Sequence, residues 1–426
     1  MVVVLRRLLL EDYGPFDKLD IELSDITVFV GRNNTGKSTA LEATALLLSS
    51  VSDFKITTSE SYVVDVLSEL ESKSNYLINL RSNRKVAVVS GDLISQGSAY
   101  RIKVEITKGF EELGNLRSDI MRELTKSLTE LTPKSQEILM NAFRRMQSER
   151  KDIEDLSGAF KEFIDNVVAV LNDYVNDLLL RIMIVSAYVD DELFSVALLP
   201  LSGVEVSEDA TSKLKKLGLR SIEAWAILHN QLRKLFSETR IHIGKRVDVK
   251  PVRVQHSSMS SFSIKDLPPD KQTELVDLLR KEVRYFYDYR GGHVILSFGD
   301  NRVSVPYGLM GDGFKALVRM LSLIVMGVDV AVIDEPEAHL HPGFMEVLAR
   351  YMVEPRFLDR IQFVMATQSL EFLDYLLNAA RDKNVLDRVR LVRLYLMPDG
   401  SIDYEQLSGE EAYGERRELE SDLRGP

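Results

Sequence analysis

The stretch Val30–Thr39 reads VGRNNTGKST, and it decides the fold class of the chain. Gly31, Gly36, Lys37 and Ser38 stand at the fixed positions of the GxxxxGK[ST] pattern, whose backbone N–H groups cradle phosphate oxygens. The apolar run DITVFV precedes the pattern, and STALEATALLLSS follows it with apolar residues at helical spacing. Strand, glycine loop and helix thus come in the order of a phosphate-binding loop, rather than of a chance turn with an exposed lysine.

This loop predicts a set of nucleotide contacts. Lys37 would reach the β and γ phosphates of a bound triphosphate, and the Ser38 hydroxyl would hold Mg²⁺. The residues expected around the phosphates are Arg32, Asn33, Asn34, Thr35, Gly36, Lys37, Ser38 and Thr39.

Composition narrows the class of protein. The chain has 426 residues, of which 45% are hydrophobic and 28% charged, as in ordinary globular proteins. It has no cysteine, which excludes a disulfide framework and a cysteine nucleophile. The longest apolar region, 316–333, contains Arg319 and Asp329 and is not expected to span a membrane. Arg6 and Arg7 interrupt the N-terminal apolar run, so we expect no secretory signal and a cytoplasmic protein.

The pattern along the chain predicts an α/β protein with a mainly parallel core sheet, because strands and helices alternate in the last third. An N-terminal antiparallel β lobe is expected before and after the phosphate loop. We assign 1–110 and 255–408 to one discontinuous unit, 111–254 to a helical insertion, and 409–426 to a charged, solvated tail.

A basic segment lies inside the insertion, although the chain as a whole carries a net charge of −11. Between Lys213 and Arg253 there are eleven Lys or Arg against three acidic residues. This segment could neutralise the phosphates of DNA or RNA, or it could be a solvated face or a docking site for an acidic partner.

In a second motif, VDVAVIDEPEAHLHP, an apolar run leads to a pair of acidic residues. Asp334 stands at the carboxyl end of a predicted strand, the edge where ligands of α/β sheets bind, and suits the Mg²⁺ site. Glu335 could accept a proton from an attacking water or orient it. The alternative is a strand-end acidic pair that only solvates a loop.

A third motif is YGLMGDGFKAL, about twenty residues before the acidic strand. Gly311, Asp312 and Gly313 directly precede a helix, so free N–H groups there could receive an anion. Asp312 could equally be a plain N-cap.

In this order, the three motifs resemble the ABC-type ATPase heads of the SMC, RecF and OLD families, and DEPEAHLHP is most similar to the OLD-like branch. The resemblance covers roughly 1–50 and 290–400. It implies a homodimer that sandwiches ATP and Mg²⁺, with Gly311, Asp312 and Gly313 acting in trans. Two departures from the family pattern stand out: Gly311 replaces the signature serine, and Gln368 replaces the switch histidine.

The resemblance also bears on residues with several interpretations. Gln255 is our choice for the metal-sensing glutamine, with Gln96 as the alternative, and either could be an ordinary loop residue. His339 and His341 stand next to Glu337 and could be read as a metal site, but we favour D-loop contacts at a dimer interface.

Three functions fit these motifs. The first is a slow ATPase that dimerises on Mg-ATP and acts on DNA in maintenance or defence. The second is an ATP-switched scaffold, hydrolysing slowly or not at all, for a separate effector such as a nuclease. We expect that effector on another polypeptide, because only 58 residues follow Gln368. A small-molecule kinase or GTPase is disfavoured by the nearly three hundred residues between the loop and the acidic strand.

Overall fold

The computed structural model describes most of the chain. The described residues are 3–51, 55–59, 62–65, 73, 76–81, 86–108, 133–149, 156–179, 182–200, 212–213, 215–217, 219, 251–254, 264–418 and 422–424.

A six-stranded sheet forms the centre of the fold. Its order is β10-β14-β15-β3-β16-β17, and every neighbouring pair is parallel except β16 and β17. The runs ITVFV and QFVMA are buried along their whole length, as expected for strands covered on both faces. The mainly parallel core sheet predicted from the sequence is confirmed. Its strands are β3 Ile26–Val30, β10 Pro251–Val254, β14 Val330–Asp334, β15 Gln362–Ala366, β16 Val389–Leu396 and β17 Ile402–Ser408.

Helices cover both faces of this sheet. Helix α1, Lys37–Ser50, contacts the core sheet on one side and the second sheet on the other, so nearly all of its residues are buried. The opposite face packs against three amphipathic helices in a second hydrophobic core. Those helices are α5 Asp312–Met326, α6 Pro342–Met352 and α8 Leu370–Asp382, and the short α7, Pro355–Leu358, follows α6.

A second six-stranded sheet is antiparallel throughout, in the order β2-β1-β6-β7-β8-β9. It confirms the predicted N-terminal β lobe. Its strands are β1 Val4–Tyr13, β2 Phe16–Glu22, β6 Val86–Ser95, β7 Ser98–Lys108, β8 Ile182–Val189 and β9 Glu192–Pro200, and a separate hairpin is formed by β4 Lys55–Ser59 and β5 Tyr62–Asp65.

The segment 182–200 corrects the predicted boundary of the insertion. We had assigned 111–254 to a helical insertion, but β8 pairs with β7 from Lys108↔Met183 to Ile102↔Val189 and extends the N-terminal sheet. Helices α2, Pro133–Glu149, and α3, Leu156–Leu179, precede it among the described residues and meet through an aromatic contact between Phe143 and Phe160, with ring centroids 5.0 Å apart.

Gln362 joins the two sheets at the first position of β15. Its side chain is buried, accepts a hydrogen bond from the Leu5 N–H at 2.8 Å, and donates to the Leu5 and Ser24 carbonyls, each at 2.8 Å. This glutamine therefore satisfies three main-chain groups where β1 crosses the edge of the core sheet.

A smaller antiparallel sheet stands before helix α5. It contains β11 Phe286–Arg290, β12 His293–Phe298 and β13 Asn301–Pro306, and helix α4, Pro269–Glu282, packs beside it. Phe286, Tyr289 and Val294 face the core.

The C-terminal segment is not the solvated tail that its charge indicated. Helix α9, Gly409–Glu418, packs against α8, where Arg416 forms an ion pair with Asp374 at 2.6 Å. Farther on, Leu423 is 0% exposed, and its carbonyl accepts a hydrogen bond from Arg393 at 3.1 Å. The high charge density thus supports intramolecular ion pairs.

Within the described part of the chain, no helix combines the length and apolar character needed to cross a bilayer. Most of the basic segment 213–253 lies outside the described residues.

Candidate nucleotide site

The phosphate loop is shaped by close packing at its glycines. Gly36 has φ 87°, and a Cβ added there would lie 2.7 Å from the Phe16 ring. A Cβ at Gly31 would lie 2.7 Å from the Leu394 carbonyl oxygen. Helix α1 begins immediately after Gly36, so the N–H groups of its first turn lack intrahelical acceptors and point toward the loop. A larger residue than glycine would clash at either position.

The Lys37 side chain turns back over the loop. Its Nζ donates to the carbonyls of Gly31 at 2.8 Å and Arg32 at 2.7 Å. The Thr35 hydroxyl also donates to the Arg32 carbonyl, at 2.9 Å. Lys37 and Thr35 are buried, whereas Arg32, Asn33, Asn34 and Ser38 are exposed. The Lys37 ammonium is therefore held inside the loop, whereas Ser38 is open to solvent.

The acidic strand reaches the same edge of the sheet as this loop. β14 and β3 flank β15, and Ala366 of β15 is paired with both Asp334 and Phe29. Burial lowers the pKa of Lys37, while the negative charges of Asp334 and Glu335 oppose that shift. Lys37 and the two carboxylates, nearly three hundred residues apart in sequence, thus lie within electrostatic reach of one another.

Glu335 and Gln368 meet directly at this edge. The Gln368 amide donates to the Glu335 carboxylate, Nε2 to Oε1, at 2.8 Å. Glu335 has a left-handed backbone with φ 51°, rare for a non-glycine residue. Its N–H donates to the Ala366 carbonyl at 2.9 Å, which anchors the strained residue on β15. A carboxylate and an amide are thereby held together beside Lys37.

Glu337 lies deeper in the same loop. One of its carboxylate oxygens accepts a hydrogen bond from the Thr367 hydroxyl at 2.6 Å, and the other is buried without a hydrogen-bond partner among the described residues. Burial raises the pKa of Glu337, and the nearby Glu335 carboxylate adds to this effect. The sequence singled out Glu337 only as a neighbour of the histidines.

The glycine turn before α5 is exposed. Gly311 occupies the N-cap position, and Asp312 is the first helical residue, without a side-chain capping bond. The alternative of Asp312 as N-cap is therefore wrong, and its carboxylate instead lies 3.5 Å from Lys315 Nζ. A Cβ at Gly313 would lie 3.0 Å from the His339 carbonyl, so this turn packs against the segment after the acidic strand.

The two histidines have different environments. His341 caps α6, accepting a hydrogen bond at Nδ1 from the Gly343 N–H at 3.3 Å, and His339 is exposed with φ 63°. Among the described residues, no group of three or more His, Asp or Glu side chains could hold a metal ion. Capping explains His341 without a metal.

Two family models match the chain in tandem. The model described as "AAA ATPase domain" matches residues 4–179, and the model described as "AAA domain, putative AbiEii toxin, Type IV TA system" matches 177–374. The first contains the phosphate loop, and the second contains the glycine turn and the acidic strand. The chain is therefore similar to AAA-type ATPase domains over residues 4–374, and we refer to it below as the ATPase head. Nucleotide is therefore the ligand class of the family.

Individual relatives of this ATPase head are distant. An uncharacterized protein of Methanocaldococcus jannaschii, MJECL11, is 31% identical over 118 residues, which is 27% of this chain and all of that protein. The SMC head domain from Thermotoga maritima is 14% identical with a TM-score of 0.44, covering 95% of this chain and 99% of that one. A RecF structure described as "RecF-ATPrS in RecFOR pathway" is 14% identical with a TM-score of 0.31, covering 95% and 98%.

Gln255 of the ATPase head lies outside the described residues. The preceding residue, Val254, pairs with Ile333, one position before Asp334. Gln96 lies instead in the exposed turn between β6 and β7 with φ 50°, so a turn role accounts for it.

The ATPase head also has a cavity that the sequence did not reveal. It has a volume of about 470 Å³ and begins at Thr39, next to the phosphate loop. Glu42 of α1 closes one side of it and forms an ion pair with Lys73. The residues that line the cavity come from four separate parts of the chain and do not belong to one sequence motif. They are Tyr13, Gly14, Pro15, Thr39, Glu42, Lys73, Tyr76, Leu77, Asn79, Leu80, Arg81 and Gly400.

The C-terminal segment of the ATPase head comes near Gln368. Arg424 Nη1 lies 3.4 Å from the Gln368 carbonyl oxygen, while the same guanidinium forms an ion pair with Asp422 at 2.7 Å. This ion pair lowers the pKa of Asp422 to about 2. An arginine of the C-terminal segment, which the sequence predicted to be a solvated tail, therefore lies close to Gln368.

Proposed function

We propose that this ATPase head binds Mg-ATP between the phosphate loop and the acidic strand and hydrolyses it slowly. The observation that carries the proposal is that β3, which leads into the phosphate loop, and β14, which ends in Asp334, both flank β15, so that Asp334 and Glu335 act electrostatically on Lys37. If this loop were only a turn, its buried lysine would not be expected to lie near two carboxylates that are almost three hundred residues away in sequence.

Each side chain would have a defined task. Lys37 would exchange its two loop carbonyls for phosphate oxygens, and residues 32–39 would surround the phosphates. The Ser38 hydroxyl and the Asp334 carboxylate are hard oxygen donors that suit Mg²⁺, and Gln255 is the proposed third contact. When bound, Mg²⁺ neutralises charge on the β and γ phosphates.

Glu335 and Gln368 would act on the attacking water. As water oxygen attacks the γ phosphorus, the bond to the β–γ bridging oxygen breaks, yielding ADP and phosphate, and the water proton passes to the Glu335 carboxylate. The Gln368 amide fixes that carboxylate at 2.8 Å. Because an amide cannot become charged, Gln368 can orient but not add a cation, which favours slow turnover.

The sugar and base would extend from Thr39 into the adjacent cavity. Tyr13 and Tyr76 supply aromatic surface there, and Asn79 and Arg81 supply polar groups. A lining of mixed aromatic and polar groups fits a nucleoside.

A homodimer would complete the site. Gly311 and Asp312 are exposed, so their turn is open to a second copy of the chain. We propose that Gly311 and Gly313 offer backbone N–H groups to the γ phosphate held by the partner subunit, in an OLD-like arrangement. Glu335→Gln should accumulate as a dimer in light scattering with Mg-ATP and remain monomeric without it. A Glu335→Gln protein that stays monomeric under both conditions would remove the dimer from this proposal.

A second candidate function is an ATP-switched scaffold for a separate effector, such as a nuclease. The exposed Asp312 carboxylate favours it, because a negative charge in the glycine turn repels phosphate and would slow hydrolysis. In either case the head would act in DNA maintenance or defence, with 213–253 as one basic surface for DNA or RNA.

Steady-state phosphate release separates the two functions. Wild type, Lys37→Ala and Glu335→Gln should be compared with and without DNA. A slow ATPase predicts release by wild type that both substitutions abolish. If wild type releases phosphate no faster than Lys37→Ala under every condition, yet binds ATP, the scaffold is the better description.

A further inference from the structure

Exposed aromatic side chains cluster at one end of the small sheet before the glycine turn. Tyr285 precedes β11, Tyr287 lies in it, and Phe298 ends β12; they are 45%, 36% and 46% exposed. The rings of Tyr285 and Phe298 are in contact, with centroids 4.8 Å apart. A cluster of solvent-exposed aromatic rings is typical of an interaction site.

Arginines accompany these rings. The Arg302 guanidinium lies 3.9 Å from the centroid of Tyr287, and that of Arg284 lies 4.7 Å from the centroid of Tyr285. Neither arginine forms an ion pair within the described part of the chain. Positive charge therefore remains available beside flat apolar surfaces.

The backbone is built to hold the rings outward. Tyr285 has φ 67°, a strained conformation for a bulky residue, yet its carbonyl accepts a hydrogen bond from the Ser297 N–H at 2.8 Å. Arg280 donates to the Tyr287 carbonyl at 2.6 Å. Strain maintained by specific bonds at an exposed aromatic residue points to recognition rather than to packing.

The charge around these aromatic rings indicates which class of ligand would bind there. Residues 284–302 contain three arginines and two aspartates, and one of those aspartates, Asp288, is already bridged by Arg280 and Arg290. The remaining carboxylate, Asp300, lies in the turn between β12 and β13. This end of the sheet is thus cationic although the chain as a whole is acidic, and it complements an anion that also carries flat rings.

We propose that this aromatic–arginine patch, Arg284, Tyr285, Tyr287, Phe298 and Arg302, binds single-stranded nucleic acid. Bases stack on aromatic rings and guanidinium planes, and the arginines neutralise phosphates. In a duplex the bases are stacked on one another and cannot stack on the aromatic rings of the protein, so the patch should bind duplex DNA more weakly than a single strand. Binding here does not require nucleotide in the ATP site, and the patch shares no residue with the basic segment 213–253.

The test is fluorescence anisotropy of a labelled oligothymidylate of about twenty nucleotides with the full chain, without ATP, at several salt concentrations. Tyr287→Ala and Phe298→Ala should each weaken binding about fivefold or more, because each removes a stacking surface. Tyr287→Phe should bind as wild type. Arg302→Ala should reduce the slope of log affinity against log salt by about 0.7, the value for one phosphate on a single strand.

Arg356→Ala is the matched control. It removes the same charge and a similar contact, since Arg356 lies 4.3 Å from the centroid of Phe357, but that ring is only 5% exposed. Its affinity should equal that of wild type, and duplex DNA should compete poorly with the oligonucleotide.

Besides a failure of wild type to bind, three results would overturn the proposal: unchanged affinity of Tyr287→Ala and Phe298→Ala, equal losses in Arg356→Ala and Arg302→Ala, or polyglutamate competing as well as the oligonucleotide. The last would indicate an acidic protein as the partner. Failure of wild type to bind the oligonucleotide while it binds Mg-ATP would reject this patch and leave the proposed ATPase intact.

Discussion

Gln368→Leu should slow ATP hydrolysis without weakening ATP binding. The substitution removes the amide that donates to Glu335 at 2.8 Å. A hydrogen bond to a charged group is worth about 1.5–3 kcal/mol, and the low end applies because Gln368 is exposed to solvent. A loss of about 1.5 kcal/mol at the transition state corresponds to a roughly tenfold lower kcat.

The assay is phosphate release at saturating Mg-ATP, with equilibrium binding of a fluorescent ATP analogue measured in parallel. Binding should change less than about twofold, since Gln368 contacts Glu335 and not the phosphate loop. The control is Gln406→Leu, which removes a partly buried glutamine of β17 that accepts a hydrogen bond from the Glu22 N–H of β2 at 3.1 Å. A wild-type kcat in Gln368→Leu, or a loss confined to binding, would refute the orienting role.

Three further substitutions test the fold around the site. Gln362→Leu removes the hydrogen-bond partner of three main-chain groups, two of them buried, and should lower the free energy of unfolding in urea by about 3 kcal/mol; a loss below about 1 kcal/mol would contradict the junction described above. Burial raises the pKa of Glu337 in the folded state, so its folded form holds a proton more tightly than the unfolded chain and stability falls as pH rises above its ordinary value of 4.5. Glu337→Gln keeps an acceptor for Thr367 but carries no charge, so the stability of this variant relative to wild type should increase with pH in urea titrations. A pH-independent stability difference would contradict the raised pKa of Glu337. Gly36→Ala forces a left-handed alanine and should lower stability by at least about 1–2 kcal/mol in thermal unfolding, whereas Gly308→Ala, with open space around it, should not.

The sequence predicted those parts of the site that depend on local spacing. Gly31, Gly36 and Lys37 sit within one strand–loop–helix unit, so their geometry follows from seven consecutive residues. The Asp334–Glu335 pair follows directly from a buried apolar strand. Each motif carries its own structural context, which is why both could be located without coordinates.

Other features depend on contacts between distant segments. The cavity beside Thr39 combines residues 13–15 with residues 73–81 and Gly400, and no spacing rule links them. β8 follows two helices but returns to pair with β7, a long-range choice that strand propensity does not specify. The charge of the C-terminal segment indicated a solvated tail, whereas the buried Leu423 holds the end of this segment against the fold.

The most direct measurement is the Mg²⁺ dependence of ATP affinity, by calorimetric titration of wild type, Lys37→Ala and Asp334→Asn. Wild type should bind ATP more tightly with Mg²⁺ than without it, Lys37→Ala should lose affinity under both conditions, and Asp334→Asn should lose only the gain from Mg²⁺. An Asp334→Asn protein that keeps the full gain would show that the acidic strand and the phosphate loop do not share one metal-bound triphosphate.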